Sequence, residues 1–168
     1  AIFHEIKKIS IKLQEAGAKG LFICSNTLHK IASDLQTHLN IPIIDVRTAT
    51  GEILKEGRKT NPLLLGTKFT MEGTFYHEEL AKYEINVIVP DTPDRENINR
   101  IIYQELSAGT VGENSKRYLY NLIEKIRREN EIDSVILGCT ELPLLLKQEE
   151  IELPLFDTME IHIKKAVD

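Results

Sequence analysis

Two stretches of this chain follow the same plan, and that internal echo constrains the fold more than any single motif does. LFICSNTLH (21–29) leads through a helical pattern to IPIID (41–45), and VILGCTELP (135–143) leads through another to LPLFD (153–157). In each, an apolar strand delivers a cysteine, a threonine follows within three residues, and a proline-led strand ends in Asp45 or Asp157. Cys24 and Asp45 stand 21 positions apart, Cys139 and Asp157 18. The pattern predicts two related half-folds.

The strands of the echo belong to a longer series. LFIC (21–24), IPIID (41–45), PLLLG (62–66), NVIVP (86–90), SVILG (134–138) and LPLFD (153–157) are short, aliphatic and apolar at nearly every position, as strands buried on both faces of a parallel sheet must be. Helical stripes separate most of them: Ile2, Ile6, Ile9 and Leu13; Leu28, Ile31, Ala32, Leu35 and Leu39; Leu119, Leu122, Ile123 and Ile126. Gly17 and Gly20 punctuate the end of the first helix, and Thr92 as N-cap with Pro93 at the first helical position marks the start of a later one. Alternation of strand and helix predicts an α/β fold, each half a parallel sheet flanked by helices. The expected boundaries are 1–59 for the first lobe, with 158–168 packing back on it, and 60–157 for the second.

The echo also predicts an incomplete first lobe. The second unit starts near Pro62, 77 positions before Cys139, whereas 23 residues precede Cys24. The difference corresponds to roughly 54 residues, or about two βα units, and the chain opens on a helical pattern without an initiator Met.

Composition narrows the class of function. At 168 residues and 42% apolar, the chain can bury a substantial core. A net charge of −5, with both signs mixed along amphipathic stretches, leaves no basic stripe for nucleic acid. No apolar run approaches the roughly 20 residues that span a bilayer, and no signal peptide is visible, so a cytoplasmic location without membrane partners is expected. Two cysteines make no disulfide framework; they are either buried spectators or reactive thiols.

Their positions favour chemistry. In parallel α/β sheets, ligands bind beyond the carboxyl ends of the strands, where each strand turns into its helix. Backbone N–H groups of a helix N-terminus hold a carboxylate and lower a thiol's pKa, and Asn26, Thr27 and Thr140 add donors there. Inversion at carbon by proton exchange needs a base on one face and an acid on the other. A pseudo-symmetric pair of half-folds, each offering one cysteine, meets that demand.

CSNTLHK (24–30), LGT (65–67) with Thr70 close behind, and GCTELPLL (138–145) resemble the signatures of the aspartate/glutamate racemases, nearest to the broad-specificity amino-acid racemase branch. The resemblance runs over essentially the whole chain. It implies two pseudo-symmetric lobes with the active site in the cleft between them, catalysis without pyridoxal phosphate or metal, Cys24 and Cys139 as the catalytic pair, and commonly a homodimer acting on a small-molecule amino-acid substrate. It also implies that Asn26 and Thr27 bind the substrate's carboxylate or amine, with supporting contacts from Thr67, Thr70 and Thr140. Glu141 matches the second motif of the aspartate type. Two departures stand out. The family's N-terminal glycine-rich loop has no counterpart here, and Ser107 falls where aspartate-specific members place a lysine for the distal carboxylate.

Several residues admit two readings. His29 either tunes the Cys24 thiolate or is a satisfied polar helix position. Glu141 either orients a ligand or the Cys139 loop, or complements a helix dipole. Asp45 and Asp157 are read as helix caps rather than a carboxylate pair. His4, His38, His77 and His162 show no metal-ligand spacing, and Lys125, Arg127 and Arg128 read as a solvated helix face. The alternatives to a racemase are a non-catalytic amino-acid-binding module, a thiol redox sensor, or a related cysteine isomerase such as a hydantoin racemase or maleate isomerase.

Overall fold

The centre of the molecule is a parallel sheet whose two faces are buried by different helices. In the computed structural model, which describes residues 2–167, strands β1 (Leu21–Phe22) and β2 (Ile43–Ile44) form one two-stranded sheet, and β3 (Pro62–Gly66), β4 (Ser134–Gly138) and β5 (Leu155–Asp157) form another in the order β3-β4-β5. All pairings are parallel. Helices α1 (Ile2–Glu15), α2 (Ala32–Gln36), α3 (Val46–Glu56), α4 (Lys68–Glu72), α5 (Thr74–Ala81), α6 (Thr92–Gln104), α7 (Glu113–Glu129) and α8 (Thr158–Val167) surround these sheets.

Every residue of β3 and β4 is buried. Successive side chains in a strand point to opposite faces, and the two cores divide accordingly. Leu63, Leu65, Val135 and Leu137 meet α6 and α7 on one face; Leu64 and Ile136 meet Leu54 of α3 and Tyr76 and Leu80 of α5 on the other. Each such aliphatic side chain contributes roughly 1.5–3 kcal/mol on full burial. A continuous apolar run is the sequence consequence of this double coverage. The register Leu63↔Val135, Leu65↔Leu137 carries both strands out together at Gly66 and Gly138. There the backbones approach closely: a Cβ on Gly138 would lie 2.9 Å from the Leu65 carbonyl oxygen, and one on Gly66 3.0 Å from that of Gly138.

The smaller sheet has its own core, in which Leu21, Ile23, Ala32, Leu35 and Leu39 pack with Phe3, Ile6 and Ile11 of α1. Helix α1 ends in a Schellman motif. The N–H of Ala18 bonds the Leu13 carbonyl and that of Gly17 the Gln14 carbonyl, with Gly17 at φ 96°. The apolar stripe of α1 is only partly covered: Ile6 packs inward, while Ile2, Ile9 and Leu13 are exposed.

Four expectations change. NVIVP (86–90) runs parallel to β3, with Leu64 N–H bonded to the Ile88 carbonyl, but makes one isolated bridge, Leu63↔Ile88, rather than a strand. Pro90, which has no N–H, closes it. No α-helix links β4 to β5. Two 3-10 turns, Leu142–Leu144 and Gln148–Glu150, take its place. The stripe from Leu28 to Leu39 divides into a 3-10 turn, Thr27–Ile31, and the short α2. Finally, α6 is capped by Asp91, whose carboxylate accepts the Asp94 N–H, and Thr92 is its first residue.

Helix α8 joins the two sheets. Its Thr158 hydroxyl donates to the Leu137 carbonyl of β4, and His162 bonds the Ile44 carbonyl of β2 at 2.5 Å. No described helix is long and apolar enough to cross a membrane.

Candidate active site

Cys24 lies two residues beyond β1 and Cys139 directly follows β4, so each cysteine leaves the carboxyl end of a parallel strand. Cys24 is exposed and Cys139 buried, and both are free thiols. They border the same cleft, about 260 Å³, together with Ser25, Asn26, Thr27, Thr67, Tyr103, Ser107, Thr140 and Glu141. Residues from both halves of the echo therefore face one space.

The first loop is held from behind. Ser25 turns tightly, its N–H bonding the Ile23 carbonyl at 2.7 Å. His29, fully buried, spans the loop and the start of α3: Nδ1 donates to the Ser25 carbonyl at 2.8 Å and Nε2 accepts the Val46 N–H at 3.2 Å. Both nitrogens are thus engaged by a neutral ring, and burial pulls the His29 pKa below its ordinary value. His29 supports the Cys24 loop and does not line the polar cleft.

Asn26 is the junction of three elements. Its Nδ2 donates to Thr158 Oγ1 at 2.9 Å, and its Oδ1 accepts the Tyr76 hydroxyl at 2.5 Å. Burial pushes the Tyr76 phenol well above its ordinary pKa, so it remains the donor. One Nδ2 proton of Asn26 is left for a ligand. Three threonine hydroxyls cross between the sheets: Thr27 lies 3.2 Å from Thr67 and 3.3 Å from Thr70, and Thr67 lies 3.1 Å from Thr70. Thr67 also caps α4 by accepting the Thr70 N–H. Thr27 and Thr67 reach the cleft; Thr70, with no exposed surface, sits behind them and fixes their positions.

The second loop has different electrostatics. Cys139 Sγ donates to Glu141 Oε2 at 2.9 Å. Burial, and then this carboxylate, push the Cys139 thiol up to about 12. The expectation of an α-helix N-terminus behind each thiol is not met: a 3-10 turn follows each, Thr27–Ile31 after Cys24 and Leu142–Leu144 after Cys139, and Cys139 is buried beside a carboxylate. Against the cost of burial, hydrogen bonds from Cys139 and Thr140 hold the Glu141 carboxyl below the ordinary carboxylate range. Glu141 therefore acts on the cysteine loop and complements no α-helix.

Asp45 caps α3 by accepting the Arg47 N–H and pairs with the Arg47 guanidinium at 2.6 Å. Asp157 accepts the Met159 N–H at the start of α8. Sequence reasoning overlooked Tyr76, Thr158, Ser25 and Tyr103. It also placed His162 among scattered histidines, whereas its ring stacks on Phe22 at 3.7 Å and lies 5.4 Å from that of His29. Tyr76 and Asn26 are 50 positions apart and Asn26 and Thr158 132, so no local pattern announces them. Among the described residues, no group of three or more His, Cys, Asp or Glu side chains is placed to hold a metal ion.

Parallel α/β sheets that send a cysteine from each half-fold into a common cleft define a class of two-lobed proteins. Within it, this chain belongs to the Asp/Glu/Hydantoin racemase family, whose model matches residues 2–166. A Yersinia pestis protein assigned provisionally to the Asp/Glu racemases superposes with a TM-score of 0.92 at 37% identity, over 98% of this chain and 72% of that one. An aspartate racemase homologue from Pyrococcus horikoshii superposes at 0.87 with 39% identity, over 96% and 72%. The glutamate racemase of Clostridium botulinum is 29% identical over 151 residues, 86% of this chain. The chain spans 57% of that racemase's length.

Proposed function

We propose that this chain carries the catalytic centre of a pyridoxal-phosphate-independent amino-acid racemase, in which Cys24 and Cys139 exchange protons with opposite faces of a substrate's α-carbon. The observation that carries the reading is the shared cleft, bordered by one thiol from residues 1–59 and one from residues 60–157. Relatives described as glutamate racemase and aspartate racemase homologue support the reaction class.

The two thiols are suited to opposite starting roles. Cys139 keeps its proton at neutral pH and starts as the acid; its S–H rests on the Glu141 carboxylate and turns from it to the substrate as the proton is delivered. With Cys139 as the acid, proton exchange across the α-carbon requires Cys24 as the base in that direction. As Cys24 Sγ takes the α-proton, Cys139 Sγ delivers its own to the other face, and the thiol and thiolate exchange places. The hydroxyls of Thr27, Thr67 and Thr140 and the remaining Asn26 N–H hold the substrate carboxylate, where negative charge develops, and Glu141 faces the ammonium. Thr70 acts through Thr27 and Thr67, and His29 through the Cys24 loop.

The full chain, incubated in heavy water with single-enantiomer amino acids, should place deuterium at Cα while optical purity is lost. Cys24→Ser or Cys139→Ser should slow racemisation by about a hundredfold or more, the usual scale of a positioned acid or base. Unchanged rates would remove the two-thiol mechanism.

A further inference from the structure

Asn26 is presented to the polar cleft by two residues that do not border it. Tyr76 and Thr158 have no exposed surface, and neither lines the cleft. Both come from elements distant in the chain. Tyr76 belongs to α5, whose start is tied to α3 by the Arg47 guanidinium on the Phe75 carbonyl at 3.2 Å, and Thr158 is the first residue of α8.

Their hydrogen bonds run in one direction. The Thr158 hydroxyl commits its single proton to the Leu137 carbonyl at 2.8 Å, and a carbonyl oxygen can only accept. Toward Asn26, Thr158 Oγ1 is therefore an acceptor, so the NH2 end of the amide faces α8 at 2.9 Å. The other end, Oδ1, accepts the proton of the Tyr76 hydroxyl, which burial keeps on the phenol. Reversing the amide would set Oδ1 against the lone pairs of Thr158 and leave the Tyr76 proton without an acceptor. Two buried hydrogen bonds would be lost at once, in surroundings where unmade bonds are most costly. A single backbone carbonyl of β4, two residues before Cys139, thus sets the orientation of a side chain two residues after Cys24.

This order decides what the cleft displays. An asparagine amide can meet a ligand as acceptor or as donor, and an amino acid carries one group for each, an ammonium and a carboxylate. Here Oδ1 is turned to the buried Tyr76, whereas Nδ2 keeps one uncommitted proton and Asn26 borders the cleft. We propose that Tyr76 and Thr158 are positioning residues that hold the Asn26 amide with its N–H toward the cleft, so that this point receives a carboxylate and not an ammonium. The inference rests on the racemase reading above for the identity of that carboxylate as the amino acid's own. With Glu141 facing the ammonium, the substrate then enters in one direction.

The test uses the full chain with labelled amide nitrogens, propionate and n-propylamine as probes, and the nuclear magnetic resonances of the Asn26 side-chain amide, identified by their loss in Asn26→Asp. In the unsubstituted protein, propionate should move one Nδ2 proton downfield, and n-propylammonium should leave both in place. Tyr76→Phe should weaken propionate binding about tenfold, the scale of one hydrogen bond to a charged group, with n-propylammonium binding unchanged. Thr158→Val should act in the same way, and Thr158→Ser, which restores the hydroxyl, should recover the affinity. With an amino acid that the full chain racemises, Tyr76→Phe should raise KM more than it lowers kcat. Equal weakening of both probes would mark a general loosening of the fold and overturn the proposal. Unchanged propionate binding in Tyr76→Phe, or n-propylammonium shifting the Nδ2 protons of the parent, would overturn it as well. The expected response to the probes without racemisation of any amino acid would sustain the orientation and remove the racemase reading.

Discussion

At Cys139, burial and a neighbouring carboxylate act in the same direction, and both favour the protonated thiol. Burial is the larger cause, so removing the charge should relax the thiol only in part. With Cys24 replaced by Ser to leave one thiol, Glu141→Gln should bring the Cys139 pKa down from about 12, yet keep it above that of a free cysteine. The pH dependence of thiolate absorbance checks this, and an unchanged or higher midpoint would mean that Glu141 does not govern the proton. In the protein that keeps both thiols, Glu141→Gln should change kcat and raise KM together, because Glu141 both accepts the Cys139 proton in a hydrogen bond and faces the substrate ammonium. His29 shows the contrasting case of a histidine beside a reactive residue whose two nitrogens are both used for structure.

At the scale of elements, the sites are set by how strands end. Gly66 and Gly138 close β3 and β4 side by side, and a methyl group on Gly138 would press on both Leu64 and the Leu65 carbonyl oxygen at 2.9 Å. Gly138→Ala should therefore cost about 1–3 kcal/mol, read as a lower midpoint of denaturant unfolding, and should displace the Cys139 loop. A midpoint equal to that of the parent would show that the strand ends yield freely. These strands were legible in the sequence because burial on both faces demands an apolar residue at every position, as PLLLG and SVILG show. Others were less so. LFIC and IPIID shrink to two paired residues each, since each strand of that small sheet has a single neighbour, and NVIVP pairs through Ile88 alone. Asn26 and Thr27 were legible as polar groups beside Cys24, but their partners Tyr76, Thr158 and Thr67 come from elements distant in the chain.

For the whole molecule, the question is what keeps two separate sheets aligned closely enough for two thiols to share one substrate. Part of the answer is a pair of neutral histidines. His29 ties the Cys24 loop to α3, and His162 ties α8 to β2. The rings lie 5.4 Å apart, with Asp45 acting on both and Arg47 on His29. Burial lowers both pKa values in the folded state. As pH falls through the unfolded value of about 6.5, the unfolded chain binds protons that the folded one does not, so stability falls with pH below that point. Protonation of His29 Nε2 would also set a donor against the Val46 N–H that it now accepts. Asp45, held low against burial by Arg47, titrates beneath this window and does not offset the loss. The denaturant midpoint should therefore decline between about pH 7 and pH 5, and His162→Gln, which keeps a donor without a titrating ring, should flatten that decline. An equally steep decline in the variant would place the pH sensitivity elsewhere. A shallower one would assign the pH sensitivity to the contact that His162 makes between α8 and β2.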